Sequence, residues 1–229
     1  MIKVQVLAFA TASGLLGRSP RPIELPDGAR LADLKRLLEE ENPGWATLWP
    51  RLAIAVDGKL RQSDTELADG AEVALLPPVS GGSPAPTTTL EHLTFGPLDP
   101  GAAIAAVAAP ERGAILLFLG TVRNHHQGRV VSSLTYSAYE SMANERLRAI
   151  CREIEAASAD VKVDIRHRLG EVAAGEPSVV IAVASAHREA AYEASRAALE
   201  RLKKEVPIWK LERFADGSEA WREAEPLTE

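Results

Sequence analysis

The stretch RLKKEVPIWK sets two lysines seven residues apart, Lys203 in the last turn of a helix and Lys210 on an extended segment beyond Pro207. A lysine in a last helical turn sits well against the negative end of the helix dipole, and lysines usually face solvent. If both amines instead face one anion or one acyl group, their repulsion lowers at least one pKa and makes a better proton acceptor or nucleophile. A second pair is His187-Arg188 in ASAHREAAY, where an apolar strand meets a helix N-terminus. Free backbone N–H groups there attract anions; capping and solvation are the plainer role. GTVRNHH sets Arg123 at another strand end with His125 and His126. Adjacent histidines point different ways and make no metal site by themselves, so these two read as a solvated loop. His167-Arg168 in IRHRLGE reads as strand surface or interface. Arg123, His187, Arg188, Lys203 and Lys210 come from three loops. If those loops converge, they form a cationic pocket suited to a phosphorylated small molecule, with one or two reactive lysines. The chain has no phosphate-binding glycine loop and no Ser-His-Asp pattern.

A different feature is Gly81-Gly82 within LLPPVSGGSPAPTTTL. Local composition reads it as a soft linker. The alternative is a working chain end covered by the residue that follows.

The elements that must position these residues fall into two groups. IKVQVLAFA alternates as a strand, with Ile2, Val4 and Val6 on one face. RPIELPDG gives a short strand and a turn at Asp27-Gly28. ARLADLKRLLEEENPG predicts a helix with Leu31, Leu34, Leu37 and Leu38 inward, stopped at Asn42-Pro43-Gly44. Turns at Asp57-Gly58 and Asp69-Gly70 close further strands, for an order β-β-α-β-β-β. From Pro77 to Thr89 bulky side chains nearly vanish, and 83–89 reads as an extended, exposed linker. Beyond it, GAILLFLGTVR reads as a strand buried on both faces and NHHQGRVV as a polar loop. SSLTYSAYES reads as a strand, followed by a helix with Met142, Leu147, Ile150, Cys151 and Ile154 inward. Two more strands, VKVDIRHRLGEV and PSVVIAVASAHR, precede a long helix that ends at Pro207.

The 229 residues suffice for two modest domains, and 46% apolar content supplies their cores. A net charge of −6 argues against general nucleic-acid binding, though it does not forbid one basic cleft. The single cysteine, Cys151, excludes an intramolecular disulfide and a cysteine zinc site. The apolar run at the start is too short to span a membrane, and a cytoplasmic protein is expected.

Residues 1–82 resemble the small subunit of molybdopterin synthase, a ubiquitin-like β-grasp sulfur carrier. The resemblance lies in MIKVQVLAFA, LADLKRLL and DGAEVALLPPVSGG. Residues 92–229 resemble the large, catalytic subunit through GTVRNH, HRLGEVAAGEPSVVIAVASAHREAAYEA, LKKEVPIWK and DGSEAW. The resemblance implies an α+β protein: a β-grasp domain over 1–82, a linker over 83–91, and an α/β-hammerhead-like domain over 92–229. It implies that a thiocarboxylate on Gly82 delivers sulfur to cyclic pyranopterin monophosphate to build the molybdopterin dithiolene. Lys203 and Lys210 would then be active-site lysines. Arg123, His187 and Arg188 would hold substrate, helped by the backbone at Thr121-Val122 and Leu211-Glu212. It further implies a ubiquitin-activating-type adenylyltransferase and a sulfur donor as partners. A homodimer through the C-terminal domain, no tightly bound cofactor or metal, and neither nucleic acid nor membrane as partner complete the expectation.

The chain departs from that pattern where the chemistry is most demanding. Gly82 is joined to Ser83, and an amide carbonyl offers no carboxylate to adenylate. Cleavage of the Gly82–Ser83 bond by a protease or by the chain itself is therefore expected. Thr121 stands where relatives carry a basic residue. Two other roles fit parts of the chain: an uncut ubiquitin-like docking module, and a carrier for thiamine or thiolated nucleotides. The second leaves the C-terminal half without a purpose.

Overall fold

The computed structural model describes residues 1–61, 64–77 and 91–221. Gly81, Gly82, Ser83 and nearly all of the expected linker lie outside the described residues.

The N-terminal domain is β-rich. Its elements are β1 (Ile2–Ala8), α1 (Thr11–Leu16), β2 (Arg21–Leu25), α2 (Leu31–Glu41), α3 (Gly44–Leu48), β3 (Ala53–Val56), β4 (Lys59–Arg61) and β5 (Glu72–Leu76). The sheet runs β2-β1-β5-β3-β4, with β1 and β5 parallel at its centre. Leu31, Leu34 and Leu38 of α2 seal one face together with Val4, Val6, Trp45 and Val73. The two short helices α1 and α3 are additions to the expected element order. Neither carries an amphipathic pattern long enough to register in the sequence.

The C-terminal domain is α/β. It begins with β6 (Leu93–Thr94), α4 (Pro100–Val107), β7 (Ala114–Thr121), β8 (His125–His126) and β9 (Arg129–Ala138). It continues with α5 (Glu140–Ala157), β10 (Lys162–Arg168), β11 (Gly170–Ala173), β12 (Pro177–Ser185), α6 (Arg188–Glu205), β13 (Ile208–Phe214) and β14 (Glu219–Trp221). One sheet has the order β6-β10-β12-β7, and a second the order β11-β9-β13-β14, with β8 paired to β9. Alternation along β12 sends Ile181 and Val183 to the main core under α5 and α6, and Val180, Ala182 and Ala184 to the α4 side.

Three local expectations change. β7 is an edge strand rather than one buried on both faces: Ile115 is 44% and Leu119 40% exposed. Met142 leaves the α5 core face and packs against the N-terminal domain. The polar NHHQGRVV stretch is a hairpin, its turn made by Gln127 and Gly128 at φ 47° and 78°. Glycine reaches that left-handed region without strain.

The two domains meet in one apolar cluster. Phe9, Ala55, Ala74 and Leu76 of the first domain pack on Tyr139 and Trp209 of the second. Phe9 stacks on Trp209 with ring centroids 4.8 Å apart, and the Trp209 indole N–H donates to the Pro77 carbonyl at 3.0 Å. The Tyr139 hydroxyl donates to the Glu72 carboxylate.

Candidate active site

The last turn of α6 is fixed before it presents any chemistry. Arg146 of α5 and Arg201 of α6 both bond the Glu205 carboxylate, their Nε atoms at 2.8 and 2.9 Å. Pro207 then breaks the helix and the chain turns into β13. Successive residues of a strand point to opposite faces, so β13 sends Trp209 toward the N-terminal domain and Ile208, Lys210 and Glu212 the other way.

On that other face lie two cavities. The larger, about 360 Å³, is lined by Lys203, Lys204 and Glu200 from α6, Lys210 from β13, Tyr136 from β9 and His167 from β10, among others. The smaller, about 130 Å³, is lined by Thr121, Arg123, His125, His126, Tyr136, Lys210 and Glu212. Tyr136 and Lys210 border both, so Lys210 stands at the wall between them. The larger cavity holds three ammonium groups against one carboxylate, and Lys203 keeps only a loose 3.7 Å approach to Glu200. In the smaller, His126 Nδ1 lies 2.6 Å from the buried Glu212 carboxylate.

Of the residues singled out in the sequence, Lys203, Lys210, Arg123 and Thr121 thus line one connected region. His187 and Arg188 do not. They are exposed at the start of α6, and fifteen residues of helix put Arg188 about 22 Å from Lys203. Val122 is buried; its N–H donates to Glu176 and its carbonyl accepts from Gly175. Leu211 and Glu212 lie in a strand paired on both sides, so Glu212 enters the site by its side chain rather than its backbone. These backbone groups are committed to the fold, contrary to the expectation that they would be open to substrate.

Sequence reasoning passed over Tyr136, Glu200, Lys204, the His126–Glu212 pair and the lining role of His167. The Gln127-Gly128 turn could have signalled a hairpin and so the pairing of His126, but its partner is 86 residues away. Cys151 is no nucleophile: burial first, then Asp164 and Glu155, push its thiol up to about 12. Among the described residues no group of three or more His, Cys, Asp or Glu is disposed to hold a metal, and no helix is long and apolar enough to cross a membrane.

Each half of the chain is similar to known proteins. The model for the MoaE protein family matches residues 93–205, and that for the ThiS family matches residues 6–82. The molybdopterin synthase catalytic subunit of Culex quinquefasciatus is 46% identical over 139 residues, covering 59% of this chain and 88% of its own. That of Aspergillus niger is 45% identical over 130 residues, covering 57% of this chain and 72% of its own. A crystal structure of molybdopterin synthase from Staphylococcus aureus matches with a TM-score of 0.56 at 32% identity, over 59% of this chain and 98% of that one. The chain belongs to the molybdopterin synthase catalytic-subunit family, with a ThiS-like sulfur-carrier domain fused ahead of it, and is a sulfurtransferase of molybdenum cofactor biosynthesis.

Proposed function

We propose that this chain is both halves of a molybdopterin synthase, a β-grasp carrier domain and a hammerhead-like catalytic domain. A thiocarboxylate at Gly82 delivers sulfur to cyclic pyranopterin monophosphate, and water, taking up the acyl group, leaves Gly82 as a carboxylate. Two such deliveries build the dithiolene. The observation that carries this reading is the place where the carrier domain ends. Pro77 is bonded to Trp209, and the next residue along β13 is Lys210. Gly82 lies five residues beyond Pro77, and a chain of that length reaches at most about 18 Å. A tail of that reach, starting beside Trp209, suits delivery of an acyl carbon to Lys210 and the cavity it borders. Lys203 or Lys210 there can stabilise the developing oxyanion. Arg123 in the adjoining cavity suits the substrate phosphate.

Loading requires a free Gly82 carboxylate, so the reading includes cleavage of the Gly82–Ser83 bond, then adenylation by a ubiquitin-activating-type enzyme and sulfur transfer from a donor. His187 and Arg188 join the site from a second copy of the chain. The open apolar edge of β7, carrying Ile115 and Leu119, supports such a dimer. Intact mass of the protein from its native host tests the central claim. A fragment ending at Gly82, with a further form shifted by one oxygen-to-sulfur exchange, is expected. A chain that is always uncut, and whose turnover is indifferent to Lys203→Ala, would make the first domain a fixed docking module instead.

A further inference from the structure

His126 is the motif residue that the reading above leaves unused. The sequence reads it, with His125, as part of a solvated loop; the structure gives the two rings different places. His125 is exposed, its Nδ1 2.9 Å from the Asn124 side-chain oxygen. His126 is half-buried, pairs with Arg129 across the β8–β9 hairpin, and sets its Nδ1 2.6 Å from Glu212 Oε2. Glu212 is buried on β13, two residues beyond Lys210, and strand alternation puts both side chains on one face. His126, Glu212 and Lys210 line the same cavity of about 130 Å³, where Arg123, His125 and Tyr136 are the other titratable groups.

The roles of the two ring nitrogens follow from the contact with Glu212. A carboxylate only accepts, so Nδ1 carries the hydrogen and donates it. The lone pair is then on Nε2, and the carboxylate fixes both the tautomer and the orientation of the ring. An imidazole held by a carboxylate beside an ammonium group is the arrangement of a general base next to an oxyanion site. The proposed transfer contains a step that needs one. Once the Gly82 sulfur is bonded to substrate, the acyl group is held as a thioester, and water must take it up. The cavity has room for several waters at roughly 30 Å³ each.

We propose that His126 is the general base for this hydrolysis, with Glu212 as its positioning residue. The inference rests on thiocarboxylate transfer beside Lys210, as proposed above. As the water oxygen bonds to the acyl carbon, one water proton goes to His126 Nε2, and the carbonyl electron pair moves onto an oxyanion facing Lys210. Collapse re-forms the carbonyl and breaks the bond between acyl carbon and sulfur. The electron pair of that bond leaves on the sulfur, which stays on the substrate and takes the proton back from His126. Gly82 is released as a carboxylic acid and loses its remaining proton to solvent. No oxidant or reductant is required.

Two variants, with the chain cut after Gly82 and loaded as the thiocarboxylate, separate a base from a scaffold. His126→Asn keeps a donor near Nδ1 for Glu212 but has no base where Nε2 lies. His126→Ala opens that place to added imidazole. Rapid-quench single turnovers with cyclic pyranopterin monophosphate are read by intact mass, which distinguishes thiocarboxylate carrier, carrier bonded to substrate and carboxylate carrier. In Asn the thioester is expected to decay about a hundredfold more slowly, so that carrier bonded to substrate accumulates. Its formation should keep the wild-type rate. Imidazole should restore decay in Ala in proportion to its concentration, a response that a merely structural loss would not show. Decay at the wild-type rate in Asn, equal slowing of both steps in Asn, or a folded Ala variant that imidazole does not help each overturns the proposal. If Ala does not fold, Asn decides alone. Absent transfer in the wild type overturns the functional reading and the base with it, whereas normal transfer in both wild type and Asn overturns the base only.

Discussion

Strand β13 has two faces with opposite characters. On one, Trp209 is fully buried between Phe9, Tyr139 and the carrier domain's last described residue. On the other, Lys210 stands open to two cavities beside Tyr136. The first face is apolar, held by stacking and one indole hydrogen bond, and touches the larger cavity only at Trp209; the second is charged and borders both cavities. A single residue step separates them. In the proposed mechanism docking and chemistry are thus tied to one strand, and the pleat sets the geometry between the domain contact and the amine. In a design with the two functions on separate loops, each could drift without the other. Here a shift in β13 moves both.

The comparison breaks most sharply at Lys210. Lys210→Ala is expected to lower sulfur transfer by about a thousandfold or more, while the melting temperature and the domain contact stay as they were. A variant that keeps its activity would mean that the charged face is not the reacting one. The proposed dimer, in which Arg188 completes the site from a second copy, can be tested by complementation, because Arg188 sits at the far end of α6. Mixing Lys203→Ala with Arg188→Ala protein, each inactive alone, is expected to restore about a quarter of wild-type sites once subunits exchange. One intact site forms in each mixed dimer, and half the dimers are mixed. No restoration would confine the site to a single chain.

The docking face should answer in stability instead. Trp209→Ala removes a fully buried indole and is expected to cost about 4 kcal/mol, read by denaturant unfolding. Its turnover loss should shrink when cleaved, thiocarboxylated carrier is supplied in excess. Trp209 also lines the larger cavity, so a turnover loss insensitive to carrier concentration would assign its effect to the cavity rather than to docking.

The two faces were not equally legible in the sequence. Lys203 and Lys210 announced themselves by type and spacing across Pro207, and the leucine stripe of α2 by its period. Trp209 lay between the lysines in plain view, yet its partner Phe9 is 200 residues away, and no local pattern encodes such a pairing. His167 and Tyr136 were opaque for the same reason: they meet through the stacking of two sheets. Burial of β7 was misread because an apolar run looks alike whether its outer edge meets another strand or stays open. The His187-Arg188 pair was legible only as a candidate anion site at a helix start. The length of α6 is what separates it from the lysines, and that length was already visible in the sequence without its consequence being drawn.

Two smaller effects refine the contrast. The buried His167 ring has a pKa lowered from 6.5 to about 4 by burial first. Between those values the unfolded chain binds a proton that the native chain does not. Stability should therefore be full above pH 6.5 and fall as pH drops toward 4, by on the order of 3 kcal/mol. His167→Gln should flatten that part of the curve in urea unfolding at stepped pH, and an unchanged slope would place the acid sensitivity elsewhere. The smallest effect is expected at the rim of the docking face. The Tyr139 hydroxyl donates to Glu72, and burial together with that carboxylate holds the phenol protonated well above its ordinary range. Tyr139→Phe keeps the ring against Phe9 and removes one hydrogen bond to a carboxylate that water can reach. A loss of about 1 kcal/mol in carrier–catalytic domain affinity is expected, measured by calorimetry on chains cut after Gly82. A much larger loss would make the interface depend on its polar rim rather than on the Phe9–Trp209 stack.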